Sequence, residues 1–281
     1  MHQHFLTGCS VVISIFKYFY KKLPEKSVRE KIRPIIYLLK FFLKSILSKQ
    51  HLNEPIGKVK FPFLAKPYLK RSVAQQGEDL ILDRIITRVL HWNIDEPRYY
   101  VDVGAYHPID HSVTYLLYKR GWHGIAFDPS ISTKKAFKLW RKTDQFVQAV
   151  VGDIDRVEVE LFTKKNGSDM SLINTKYPSD ISNYKSEKFY QVNLCSELER
   201  RKIPKVDVMN IDVEGAELEI LQSFDFEKYT PSIIAIEIHG NDIVKNLNSD
   251  IAVLLLSKGY RLVGCAVITY FFVKNEANSI L

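Results

Sequence analysis

The 281-residue chain is long enough for one large α/β domain with an appendage, and its 46% hydrophobic content is that of a globular protein with a buried core. The net charge of +8 is localised: residues 1–60 hold 12 of the 40 Lys/Arg and 3 of the 32 Asp/Glu, which leaves 28 against 29 in residues 61–281. A near-neutral main domain argues against a phosphate-tracking nucleic-acid groove, and Cys9, Cys195 and Cys265, with no C-x-x-C pair, fit neither a disulfide framework nor a zinc site and favour a reducing, cytoplasmic compartment.

Residues 1–60 read as a basic helical arm and linker. Phe5 to Tyr20 is apolar apart from Lys17, about 16 residues where a bilayer span needs roughly 20. It lacks the charged n-region and cleavage site of a signal peptide. In Ile32–Leu47, apolar positions at helical spacing alternate with Arg33, Lys40 and Lys44. Such a segment suits peripheral contact with an anionic membrane, or packing on the main domain or a partner subunit, and periodicity does not choose between them. Pro55, Pro62 and Pro67 mark the linker.

From about residue 72 strands and helices alternate. The pattern predicts a helix over Glu78–Val89, a strand at Tyr99–Val103, a helix near His111–Lys119, a strand at Gly124–Phe127 and a helix over Thr133–Lys142. A third strand is expected at Phe146–Val151 and a short extra one at Val157–Phe162, followed by a polar loop at Lys164–Tyr184. Val206–Ile211, Ala216–Gln222 and Ile233–Ile238 read as strand, helix and strand; a helix over Asn248–Ser257 precedes an antiparallel pair, Tyr260–Val263 and Val267–Val273. This order predicts a doubly wound, mostly parallel sheet covered on both faces, with an antiparallel last strand.

Ligands of such sheets sit beyond the carboxyl ends of the strands, so the residues there carry the functional reading. The first strand ends in Asp102-Val103-Gly104-Ala105, small residues beside a carboxylate suited to an ammonium group, without the G-x-G-x-x-G of a dinucleotide site. Asp128 after the second strand is placed for two ribose hydroxyls, and Asp153 after the third for an adenine amino group; each can also be read as a cap or turn residue. The fourth strand ends in Asp212-Val213-Glu214-Gly215-Ala216-Glu217, acids that packing alone does not explain, although a helix N-terminus also favours acids. The fifth ends in Glu237-Ile238-His239-Gly240, where alternation points Glu237 and His239 the same way.

These residues, over about 72–274, resemble the FkbM-type methyltransferases, a branch of the S-adenosylmethionine-dependent Rossmann-like class I enzymes. The resemblance is carried by Gln75-Gln76-Gly77-Glu78-Asp79, by Tyr100 through Pro108, by Ser112 and Thr114, and by Gly121-Trp122-His123-Gly124. The spacing of Phe137, Arg141 and Asp144, then Asp212-Val213-Glu214-Gly215 and Ile236-Glu237, complete it. Val113 departs from the Asn frequent in the family. The resemblance implies methyl transfer to oxygen, usually a hydroxyl of a sugar or other small metabolite. It implies a cofactor site lined by Asp102, Gly104, Ala105, Asp128 and Asp153, with Gln75–Asp79, Glu78 included, as a lid or wall.

A sulfonium methyl is already activated, so the protein chiefly aligns the reactants and excludes water, whereas an alkyl hydroxyl needs its proton removed. His239 is the expected base, oriented by Glu214 or Asp212, with His107 second. A divalent metal on Asp212, Glu214 and Glu237 would also serve, though no metal-ligand spacing calls for it. Two other readings compete. One is a nucleic-acid methyltransferase using the lysines and tyrosines of the Lys164–Lys188 loop; the other is a non-catalytic, membrane-docked scaffold.

Overall fold

A computed structural model describes residues 71–164, 184–240 and 242–275. The basic arm and its linker, and most of the Lys164–Tyr184 loop, lie outside the described residues. No helix among the described residues is long and apolar enough to cross a membrane.

The elements follow the expected alternation. Helix α1 (Glu78–Arg84) runs on as one π-helical turn, Ile85–Val89, before strand β1 (Tyr99–Val103). Next come α2 (Tyr115–Lys119), β2 (His123–Phe127), α3 (Ile131–Trp140), β3 (Gln145–Val147), β4 (Val150–Gly152) and β5 (Val157–Lys164). After the undescribed segment come β6 (Tyr184–Asn193), α4 (Leu194–Arg200), β7 (Val208–Ile211), α5 (Glu217–Gln222) and β8 (Ile233–Glu237). Two short helices, α6 (Ile243–Asn246) and α7 (Asp250–Ser257), lead to the hairpin β9 (Tyr260–Ala266) and β10 (Thr269–Lys274).

The main sheet has the order β3-β2-β1-β7-β8-β10-β9, parallel except for β10, which is antiparallel to both neighbours. Strands buried on both faces should be continuously apolar, and β8 (Ile-Ile-Ala-Ile-Glu) is buried at every position. One face carries Val101, Val103, Met209 and Ile211; the other carries Tyr100 and Val208 against Leu82, Ile86 and Phe271. Two departures from the sequence pattern matter. The apolar run Phe146–Val151 is not one strand: β3 ends the main sheet at Val147, and β4 belongs to a second sheet of order β4-β6-β5. Strand β6 and helix α4, where the pattern predicts nothing, complete that sheet; β6 is mostly charged and exposed along Ser186–Lys188, which hides its strand character from a hydrophobicity pattern.

Register sets up the site. Val103 pairs with Phe127 and with Ile211, and Ile211 pairs with Ile236. The residues that follow, Gly104, Asp128, Asp212 and Glu237, therefore emerge in one row along the carboxyl edge of the sheet. The ladder continues into the loops: the Gly104 and Ala105 N–H groups donate to Phe127 O, and Asp212 N–H donates to Val103 O, each at 3.0 Å.

Candidate active site

An open cleft of about 780 Å³, counting its solvent-facing mouth, lies on this edge. Val103 and Phe127 from the main sheet, Ala149, Val150 and Val151 from the start of the second sheet, and Ala216 ahead of α5 make its walls apolar. Polar groups enter at Asp128, Asp212 and Glu214. Gly104 also borders it, and its requirement is steric: at φ +81°, a Cβ would sit 1.7 Å from Asp212 O. Any side chain at 104 would push apart the adjacent ends of β1 and β7.

Asp128 accepts from Ser130 N at 2.8 Å through one carboxylate oxygen and from Tyr106 N at 3.0 Å through the other. These bonds fix the side chain yet leave a lone pair on each oxygen, the pair of acceptors that a vicinal diol requires. Burial pushes its pKa up to about 6, against the lowering effect of those donors. Tyr106 is itself held at φ 44° beside the cleft, and its carbonyl accepts from Thr133 Oγ1 at 2.7 Å.

The loop after β7 is built by Glu217. Its buried carboxylate accepts from Val213 N at 3.1 Å and from Gly215 N at 3.0 Å, satisfying free donors ahead of α5 and favouring the left-handed backbone of Glu214 (φ 59°) and Gly215. The capping role expected of an acid in this segment thus falls on Glu217, which frees Asp212 and Glu214 to face the cleft. Burial, then a hydrogen bond with Glu237 and that group's charge, push Asp212 up to about 8. Burial first and the Asp212 charge second raise Glu214, and burial likewise raises Glu237. His239 Nε2 lies 3.5 Å from Glu214 Oε2 and 3.6 Å from Glu237 Oε2, with its side chain 54% exposed. The expected association of His239 with Glu214 is therefore present, at the rim of the cleft.

Other expected site residues do not face the cleft. Asp102 is 2% exposed, and both its oxygens are engaged: Asn210 Nδ2 donates to Oδ1 at 2.9 Å and Thr114 Oγ1 donates to Oδ2 at 2.5 Å. Strand alternation explains this, since Val101 and Val103 take the cleft-side face and turn Asp102 to the other. There it joins Arg141, whose guanidinium, buried with no exposed side-chain surface, donates to Asp144 at 2.6 Å and to Thr114 Oγ1 and the Tyr100 hydroxyl. Ser112, Thr114, Arg141 and Asp144 of the family pattern are thus one buried network beneath the site. Ala105 packs on Ala126 and Phe137. Asp153 is exposed and does not line the cleft, whose wall here is Val150 and Val151.

Gln75 is exposed, and Glu78 is buried with its carboxylate accepting from Gln76 N at 2.6 Å; neither lines the cleft. His107 Nδ1 accepts from the Ile109 and Asp110 N–H groups, at 3.2 and 2.8 Å, so it closes a turn and has no lone pair left on that nitrogen for a proton. The metal set shifts as well: among the described residues the atoms that cluster belong to Glu214, Glu237 and His239, while Asp212 is hydrogen-bonded to Glu237. Tyr106 and the apolar wall Ala149–Val151 were not anticipated; the apolar run itself was the available signal. Of the expected Lys164–Lys188 loop, Lys164 ends β5 and residues 184–188 open β6, where Lys188 pairs with Glu158 at 2.6 Å.

The donor set fits S-adenosylmethionine: apolar walls for a flat heterocycle, a two-oxygen acceptor at Asp128 for a ribose diol, and carboxylates at Asp212 and Glu214 for an ammonium. Comparison with known proteins agrees. The model of the methyltransferase FkbM domain matches residues 102–262, more than half of the chain. No curated protein matches. Among solved structures, the chain is similar to monomeric WbdD, at 11% identity over 78% of this chain and a TM-score of 0.40, and it spans 45% of that longer chain. It is similar to a TehB-like SAM-dependent methyltransferase from Corynebacterium glutamicum (12% identity, 75% of this chain and 93% of that one, TM-score 0.36). A third is a caffeoyl-CoA O-methyltransferase, so described provisionally, from Staphylococcus aureus (13%, 85% and 100%, TM-score 0.40).

Proposed function

We propose, from the premise that this chain belongs to the FkbM methyltransferase family, that it methylates a hydroxyl oxygen of a sugar, glycan or related small metabolite. S-adenosylmethionine is the cofactor, and it supplies a methyl group already activated by the positive charge on sulfur. The observation that carries the acceptor chemistry is the imidazole of His239 beside Glu214 and Glu237 at the rim of the cleft.

The chain's own residues divide the work. The apolar walls exclude water, and Asp128 holds a diol through the free lone pairs of both oxygens. Asp212 and Glu214, which burial and mutual crowding hold toward the protonated form in the empty cleft, ionise against an ammonium at the end of the cleft away from Asp128. A ring nitrogen between two carboxylates carries the proton, so Nε2 of His239 is the N–H and Nδ1 keeps the lone pair. That nitrogen takes the hydroxyl proton as the oxygen attacks, and the two carboxylates stabilise the resulting imidazolium. The near-neutral charge of residues 61–281 supports a small or glycan acceptor over a nucleic acid. The free thiols of Cys195 and Cys265 support a cytoplasmic setting. The basic pattern of residues 1–60 supports a separate arm with peripheral membrane contact.

The test is a screen of sugar and lipid-linked glycan acceptors with isotopically labelled cofactor, followed by His239→Asn on the best acceptor. Turnover should fall about 100-fold or more, with cofactor affinity within about twofold of wild type. Unchanged turnover would remove His239 as the base, and labelling of amines alone would remove the hydroxyl.

A further inference from the structure

We propose that Glu214, Glu237 and His239 form a binding site for one divalent first-row transition-metal cation at the mouth of the cleft. The existence of the site rests on geometry alone; what the cation would do there rests on the hydroxyl reading above.

The candidate ligand atoms lie within 4.8 Å of one another, and Nε2 of His239 is 3.5 and 3.6 Å from the two carboxylate oxygens. These separations are long for N–H···O hydrogen bonds, which cluster near ~2.9 Å. The two imidazole–carboxylate separations suit atoms that share a cation: ligands at roughly 2.1 Å from a metal stand about 3.0–3.5 Å apart in octahedral or tetrahedral arrangements. A second observation points into the same space. Glu237 is 6% exposed, and its Oε2, the atom nearest Nε2, is buried with no hydrogen-bond donor. A buried carboxylate oxygen left unpaired is costly, and in this fold it is aimed between an imidazole and a second carboxylate. The proton on Nε2 meets that need weakly at 3.6 Å; a cation meets it fully.

The ligand set selects the class of ion. Two carboxylates with one imidazole suit Mn²⁺, Fe²⁺, Co²⁺ or Zn²⁺, whereas Ca²⁺ and Mg²⁺ prefer all-oxygen shells. Asp212, hydrogen-bonded to Glu237, orients that ligand. Three protein ligands leave positions open toward the exposed side of His239, which is where an acceptor hydroxyl arrives. In the cation-loaded chain, Nε2 gives its lone pair to the metal. The hydroxyl then becomes more acidic by its proximity to the cation, and His239 acts as a ligand in place of its role as base.

The experiment uses the full chain stripped with chelator, without cofactor or acceptor. Mn²⁺ is titrated by loss of its free electron paramagnetic resonance signal, and Zn²⁺ by competition with a chromophoric chelator. One equivalent per chain should bind saturably. Glu237→Gln and His239→Ala should each weaken binding at least tenfold, while Glu160→Gln, an exposed carboxylate that does not line the cleft, leaves it unchanged. Circular dichroism melts establish that each variant is folded, and Glu237→Gln keeps side-chain size and hydrogen-bonding capacity. Absence of saturable binding of both ions, or equal affinity in the two trio variants, overturns the site. Binding of S-adenosylhomocysteine by the same stripped chain separates the two proposals: cofactor binding without metal binding leaves methyl transfer standing, and loss of cofactor binding overturns that reading whatever the metal does.

Discussion

Asp128 ties cofactor affinity to pH in a way that can be worked out from its surroundings. Burial moves its carboxyl from an ordinary 3.8 to about 6. Because the folded value is raised, the stabilising form is the protonated one, complete below about pH 4 and lost as pH rises through 6; ionising it at neutral pH costs the empty fold about 3 kcal/mol. A ribose diol donates two hydrogen bonds and needs the ionised form. At pH 7 about nine-tenths of the sites are ionised and at pH 5 about one-tenth, so S-adenosylhomocysteine should bind roughly tenfold more weakly at pH 5. Asp128→Asn replaces an acceptor by an amide that faces the Tyr106 or Ser130 N–H, removing at least one charge-assisted bond worth about 1.5–3 kcal/mol, or roughly 10- to 150-fold in affinity. Titration calorimetry from pH 5 to 8 on both proteins measures this. A flat wild-type profile, or an Asn variant within twofold of wild type at pH 7.5, would refute the placement of the diol on Asp128.

Three further outcomes follow from local geometry. Gly104→Ala places a Cβ 1.7 Å from Asp212 O at a left-handed φ, so it should abolish cofactor binding and lower stability by at least about 2 kcal/mol in urea unfolding. Glu217→Ala leaves the Val213 and Gly215 N–H groups without their acceptor; a loss of about 1–2 kcal/mol is expected, with faster amide exchange confined to the loop after β7. Arg141→Leu leaves Asp102 and Asp144 buried without their cation, and chemical denaturation should show a loss of about 3–5 kcal/mol while the Leu variant of exposed Lys142 shows almost none.

Much of this was legible in the sequence. Tyr99–Val103 is a strand at the expected bounds, and the row Gly104, Asp128, Asp212, Glu237 is readable because every parallel strand delivers its next residue to the same edge. What the sequence could not tell is which side of that edge a side chain takes. Asp102 sits one residue before the end of β1 and turns to the face of Tyr100, whereas Asp128 and Asp212 sit one residue beyond their strands and turn to the cleft. The third strand failed for a different reason: Phe146–Val151 is apolar apart from Gln148, and a single polar residue does not by itself mark a change of sheet. Likewise β6 is charged along its exposed face and is recognised only through its pairing with β5.

The buried acids differ in what opposes them: Glu78 and Glu217 accept from backbone N–H groups, others face a cation, and those at the cleft face one another. Asp102 and Asp144 are buried around Arg141, and Asp207 has Lys205 and Arg98 within 3.0 and 3.7 Å; each has a permanent cation from the fold. Asp212, Glu214 and Glu237 have no Lys or Arg partner among the described residues. Burial raises the pKa of all three, and the side chain that faces Glu214 and Glu237 is the half-exposed imidazole of His239. A fold that gives Asp102, Asp144 and Asp207 a cation each, and leaves three carboxyl groups crowded together at the cleft, carries a standing electrostatic cost at one spot. Positive charge brought from outside offsets that cost only when it is bound, which is the differential interaction a binding site requires. In the proposed reading, an ammonium toward Asp212 and Glu214, and a cation or proton between Glu214, Glu237 and His239, would supply it at the same loop.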